Sequence, residues 1–252
     1  MNSQQHIHIL RVQLLAMSRL SQRALDYSIK GYELRNLDFA RHVRTADHEL
    51  EQHHRRIKEL CRELMNGGSA NSSDSRFAFA AASIGTALHV TYTAAAEIAH
   101  DSIRLLECGG IHGCAALERM GELVNGSLRL CIVALFEKDV AHAQSVLRQQ
   151  ESLRFYELMS SESHSHIDRW SGAQGDFERS VIRSLGEVAK QAHEIADAIL
   201  FWLEGKTYPA ASISDRHDSL ELPTARHQGA TNLYYMQSKK TQSPKTAQGL
   251  LC

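Results

Sequence analysis

The sequence is poor in proline and in aromatic residues. Its 252 residues include three prolines, and phenylalanine, tryptophan and tyrosine together contribute 6%. Proline breaks helices and aromatic residues favour strands, so their scarcity, together with abundant alanine, leucine, glutamate, arginine and glutamine, favours helices. The apolar fraction of 43% is large enough for a folded core. We therefore predict an all-α protein.

The chain also lacks the cysteine and leader patterns of secreted proteins. Its five cysteines are odd in number and show no Cys-x-x-Cys spacing, which argues against a disulfide framework and a zinc ribbon. The apolar stretch from Ile9 to Met17 is broken by Arg11 and Gln13, unlike a signal peptide. No stretch is long and apolar enough to cross a bilayer. These absences predict a cytoplasmic protein without membrane insertion.

The chain also lacks an excess of charge of either sign. The formal net charge is −1, and no run of basic residues creates a local field for nucleic acid or an anionic membrane. The sequence contains no glycine-rich phosphate loop, catalytic triad or redox pair. We therefore expect neither a nucleic-acid-binding protein nor an enzyme.

Apolar residues recur at three- and four-residue intervals in six segments, which predicts six long helices. Their predicted extents are Leu10 to Leu25, Phe39 to Leu64, Phe77 to Glu107 with Asp74 as the cap, Ala115 to Phe136, Asp139 to Ser161, and Asp176 to Glu204. Three glycines between Cys108 and Gly113 mark a boundary between two halves. We predict one three-helix repeat in residues 1–110, a second in 111–206, and a disordered tail in 207–252.

The two halves resemble each other position by position. At a constant offset, Ala40, Val43, Asp47, Leu50 and Glu51 correspond to Ala143, Val146, Gln150, Leu153 and Arg154. Further along, Glu97, Ile98 and Ala99 correspond to Glu194, Ile195 and Ala196. Apolar positions are retained and acidic ones are mostly replaced, as expected of a duplication whose surface has diverged.

Two segments resemble the PhoU family of phosphate-uptake regulators. NLDFARHVRTADHELEQ, from Asn36, is similar to the family's middle-helix signature, and SLGEVAKQAHEIADAILFWLEGK, from Ser184, is similar to its final helix. The resemblance covers residues from about 6 to 206 and implies two tandem three-helix bundles of six antiparallel helices. It also implies a homodimeric, non-enzymatic negative regulator of phosphate-starvation signalling. Such a regulator docks to the phosphate ABC transporter ATPase and a sensor histidine kinase.

The resemblance further implies where metal would bind, because family members hold multinuclear clusters through carboxylates one helical turn apart. The positions matching the first site are Asp47, Glu51, His89 and Thr93. Those matching the second site are Gln150, Arg154, Gly186 and Lys190, which offer no carboxylate. We therefore expect the second site to be lost. At the first, weak binding of divalent iron or zinc remains open, beside a salt bridge or hydrogen bond from Arg44, Arg55 or a residue of the first helix to a partly buried Asp47.

Three alternatives remain open. A ferritin-like helical-bundle oxidoreductase would use Asp47, Glu51, His54 and His89, because Glu-x-x-His occurs at Glu51 with His54 and at Glu97 with His100. The latter pair is predicted to be solvated. Arg154 and Lys190 would either form a phosphate-binding patch or pair with neighbouring acids. The third alternative is a structural helical protein without a phosphate role.

Overall fold

The computed structural model describes residues 3–66, 72–107, 115–149 and 173–205, and within these ranges the chain is helical with short turns, without strands. The helices are α1 Ser3–Glu33, α2 Leu37–Val43, α3 Asp47–Asn66, α4 Ser72–Glu107, α5 Ala115–Glu137, α6 described over 140–149, and α7 Ala173–Glu204. The predicted all-α class is confirmed. No helix in the described part of the chain could cross a membrane. The tail and the remainder of the fifth predicted helix lie outside the described residues.

The middle helix of the first half is predicted to be continuous, but in the structure it is divided into two helices. A 3₁₀ turn, Arg44–Ala46, separates α2 from α3. In this turn the hydroxyl of Thr45 donates a hydrogen bond to the carbonyl oxygen of His42 at 2.8 Å. A threonine hydroxyl that binds a carbonyl in the preceding turn competes with the regular helical pattern and bends the chain.

The start of α4 corrects a second prediction. This helix begins at Ser72, so Asp74 lies inside its first turn and is not the capping residue. The Asp74 carboxylate instead accepts a hydrogen bond from the Ser3 hydroxyl, at 2.8 Å. A carboxylate in the first turn still interacts favourably with the helix dipole. Its partner, Ser3, is the first residue of α1. Local sequence patterns do not reveal a contact between residues so far apart in the chain.

The core is built around α4, which packs along both α1 and α7. Helix α3 covers α1 and α4, and α5 packs against α7. Gly85 permits the close approach of α3 to α4, because a Cβ atom there would lie 3.1 Å from Cγ2 of Ile57. The largest fully buried side chains are Leu10, Leu14, Met17, Leu25, Ile57, Leu60, Ile84, Leu88, Ile98, Met120, Leu128 and Leu185. These apolar contacts fix the position of α3, which carries most of the candidate site.

The turns that precede α2 and α6 are alike. Arg35 and Lys138 both have positive φ, 52° and 57°. Each is followed by a residue whose side chain accepts a backbone N–H bond, Asn36 from Asp38 and Asp139 from Ala141, both at 2.8 Å. These residues are related by the same offset that aligns the two halves in the sequence. The division into repeats at residues 1–110 and 111–206 itself stays a prediction.

Candidate functional site

Glu51 on α3 makes a contact with α4 through His89. Its Oε2 atom lies 3.2 Å from Nε2 of His89, while its Oε1 atom accepts a hydrogen bond from Nε of Arg55 at 2.9 Å. The hydrogen bond from Arg55, followed by the charge of Arg55 and the interaction with His89, lowers the pKa of the Glu51 carboxyl. Glu51 is therefore an ionised carboxylate with one oxygen held by α3 and the other directed to α4.

His54 completes a cluster with these two residues. Its side chain is buried and stacks on the ring of His89, with the centroids 4.5 Å apart. Ligand atoms of Glu51, His54 and His89 all lie within 4.8 Å of one another. Burial, and then electrostatic interactions with Lys58 and His89, lower the pKa of His54 to about 4, so the His54 ring is neutral at pH 7. We call these three residues the α3–α4 cluster.

Asp47 lies one turn before Glu51 but has different partners. The hydroxyl of Tyr92 lies 2.6 Å from Oδ1 of Asp47 and 2.6 Å from the carbonyl oxygen of Val43. The other carboxylate oxygen of Asp47, Oδ2, lies 3.7 Å from Nε of Arg44. The Asp47 side chain is 49% exposed, so its predicted partial burial is wrong. The reason is the 3₁₀ turn, because α3 begins at Asp47 and leaves the carboxylate at an exposed helix end.

Tyr92 is the buried partner in this arrangement. Burial, and then the hydrogen bond and negative charge of Asp47, raise the pKa of its hydroxyl above the usual range. The hydroxyl therefore stays protonated and available as a donor. It links α4 to the end of α2 and to the start of α3, which fixes the register of the helices that carry the cluster.

The four positions matched to the family's first metal site have different hydrogen-bond partners, although Asp47, His89 and Thr93 line one groove. Glu51 and His89 are in contact, Asp47 is held by Tyr92, and the exposed Thr93 donates its hydroxyl to the carbonyl oxygen of His89 in its own helix. The residue that does join Glu51 and His89 is His54, whose sequence signal was the Glu-x-x-His spacing. The sequence gives no signal for Tyr92, because a tyrosine on a helix has no spacing pattern that distinguishes a linking role from core packing.

A groove of about 540 Å³ runs beside the cluster between the 3₁₀ turn, α4 and α7. Its polar lining carries both signs of charge: Arg44, Asp47, His89, Tyr92, Thr93, Glu97, His100, Asp101, Ser180 and Arg183. Glu97 and His100 are exposed, as predicted, and Glu97 accepts a hydrogen bond from Ser184 of α7 at 3.2 Å. Neither residue belongs to the α3–α4 cluster, which therefore contains a single carboxylate, that of Glu51. A ferritin-like di-iron site needs several carboxylates.

The second half presents different chemistry at the corresponding positions. On α7, Gly186 is partly buried and Lys190 is exposed. Gln150 and Arg154 lie outside the described residues. The loss of the second metal site and the patch formed by Arg154 and Lys190 therefore stay predictions.

Comparisons with known proteins complement this geometry. The family described as the PhoU domain matches residues 14–101. A crystal structure of PhoU from Pseudomonas aeruginosa superimposes with a TM-score of 0.76 at 20% identity, over 81% of this chain and 100% of that one. The phosphate transport system regulatory protein PhoU from Streptococcus pneumoniae superimposes with a TM-score of 0.73 at 20% identity, over 82% and 99%. No curated protein sequence matches significantly.

Proposed function

We propose that this chain is a member of the PhoU domain family, whose model matches residues 14–101, and that it is a non-enzymatic regulator of phosphate uptake and phosphate-starvation signalling. The domain match is the observation that carries the proposal. It is supported by a fold that extends over the whole of the Pseudomonas aeruginosa PhoU chain. The Streptococcus pneumoniae relative is described as a phosphate transport system regulatory protein, and we extend that role to this chain.

The proposed mechanism is docking, through an aromatic surface on α4 and α7. Phe79 of α4 is 59% exposed, and its ring lies 5.6 Å from that of Phe201 on α7. Exposed aromatic side chains on rigid helices are frequent anchors of protein interfaces. The partners that we propose are the ATPase of a phosphate ABC transporter and a sensor histidine kinase. Because both proposed partners would be met in the cytoplasm, we propose that the protein acts there, as a homodimer and a negative regulator.

Co-purification tests this docking directly. The tagged full-length protein, expressed together with the ATPase or with the kinase, is expected to retain each partner on an affinity resin. Replacing Phe79 by serine should weaken retention by about 10-fold or more, because truncation of a buried aromatic anchor costs about 2 kcal/mol. Val133→Ser on α5 is the matched control, since Val133 is also an exposed apolar residue. Failure of the unmodified protein to retain either partner would contradict the docking mechanism.

A further inference from the structure

The α3–α4 cluster contains a buried polar atom that has no partner among the described residues. His54 is 6% exposed, and its Nε2 atom makes no hydrogen bond there. A buried nitrogen without a hydrogen-bond partner destabilises the fold, so one that is retained requires an explanation. With its proton on Nδ1, the imidazole presents at Nε2 a lone pair that a metal ion can accept.

The surrounding residues supply the other features of a metal site. Glu51 Oε2 and His89 Nε2 are 3.2 Å apart, close to the roughly 3.4 Å that separates two ligands of a tetrahedral zinc ion with bonds near 2.1 Å. Arg55 holds Oε1 of Glu51 and leaves Oε2 directed to the cluster, as an outer-shell residue does in metal sites. His54 and His89 now stack, and binding requires their rings to turn so that a nitrogen of each faces the ion.

We propose that Glu51, His54 and His89 form a mononuclear site for a divalent transition metal that imidazole nitrogens favour, such as zinc. The side chains of Glu51 and His89 are 39% and 34% exposed, so the remaining coordination position faces solvent. Asp47 takes no part in this site, because its carboxylate is held by Tyr92 and Arg44. The bundle thus holds its metal by one carboxylate and two imidazoles from two adjacent helices.

This ligand set predicts a selectivity different from that of a carboxylate cluster. Imidazole nitrogens suit zinc, copper, nickel and iron, whereas magnesium, calcium and manganese prefer oxygen ligands. The resemblance implies several carboxylates and several metal ions per site, but this cluster offers a single carboxylate. We therefore expect one equivalent of zinc at the cluster that an excess of manganese or magnesium does not displace.

Titration of the metal-free full-length protein tests the proposal. With Zn²⁺ followed by calorimetry, and with Co²⁺ followed by its visible absorption, one strong equivalent is expected. His54→Gln and Glu51→Gln should each weaken that equivalent by about 100-fold or more, since even outer-shell losses cost 10- to 100-fold. His100→Gln is the matched control, because His100 is an exposed histidine of α4 outside the cluster and should leave affinity unchanged.

The control matters because the chain has fifteen histidines, which can bind zinc weakly elsewhere. Circular dichroism checks that each variant is folded, and the partly exposed Glu51 carries the test if His54→Gln is not. Absence of a strong equivalent in the unmodified protein, or equal affinity in the folded Glu51→Gln variant, would overturn the metal site. Neither result bears on phosphate regulation, which is measured in cells and does not depend on this inference.

Discussion

The two predicted repeats begin their middle helices in the same way and differ in the chemistry that follows. Arg35 with Asn36, and Lys138 with Asp139, combine a residue of positive φ with a polar cap. On the third helices, by contrast, the position of His89 in the first half is taken by Gly186 in the second. The difference teaches that the turn residues are alike in the two repeats, whereas a position of the candidate site is not retained.

A second difference concerns how the helices are linked. In the first half, Tyr92 joins α4 to the carboxylate of Asp47 and to the carbonyl of Val43. The corresponding residue of α7 is Ala189, which has no polar group in its side chain. The first half therefore depends on a buried polar link that α7 cannot reproduce. Three substitutions test how much core packing, the Tyr92 link and a capping charge each contribute to stability.

The largest effect is expected from Ile57→Ala. Ile57 is fully buried where α3 meets Gly85 of α4, so the substitution leaves a cavity beneath the candidate site. We expect the free energy of unfolding to fall by about 2–5 kcal/mol, measured by urea denaturation. Met65→Ala, at an exposed position of the same helix, should change it by less than about 0.5 kcal/mol. Equal effects would mean that α3 does not pack on α4 as described.

A smaller effect is expected from Tyr92→Phe, which removes the polar link and keeps the ring. The free energy of unfolding should fall by about 1–3 kcal/mol, because the variant loses the one hydroxyl that bonds to the buried carbonyl of Val43 or to the carboxylate of Asp47. Tyr27→Phe is the matched control, since the Tyr27 ring packs against Phe39 and is retained. Indistinguishable urea midpoints for the two variants would show that the link contributes no stability.

The smallest effect is expected from Asp139→Asn, which keeps a capping side chain but removes its charge. The His142 side chain and then its backbone N–H lower the pKa of Asp139 below the usual 3.8. A lowered carboxyl pKa stabilises the fold above the unfolded-state pKa, and the contribution disappears as the pH falls through the folded-state value. The variant should therefore unfold at lower urea than the unmodified protein at pH 7. A difference that persists undiminished at pH 2 would contradict this account.

Much of the fold was predictable because apolar spacing determines which helix faces are buried. The predicted ends of α5 and α7 lie close to those observed, since both helices carry continuous apolar stripes. The break at Arg44–Ala46 was not predictable, because Val43 and Leu50 continue the apolar stripe on either side of the turn. The link from Ser3 to Asp74 joins positions far apart in the sequence and has no local pattern.

The candidate site was predicted only in part. The spacing of Asp47 and Glu51 indicated a common helix face, but their partners depend on what α4 places opposite each residue. Glu51 meets His89, and Asp47 meets Tyr92. The burial of His54 follows from the close approach of α4, which the polar sequence around the residue does not reveal.

Expression of the phosphate regulon in a deletion strain tests the central claim, regulation of phosphate uptake, most directly. In phosphate-rich medium, deleting the gene should raise the activity of a phosphate-regulon reporter, and a plasmid copy of the unmodified gene should restore repression. The Phe79→Ser variant, if produced at the same level, should fail to restore it. A reporter that is unchanged by the deletion would contradict the proposed function.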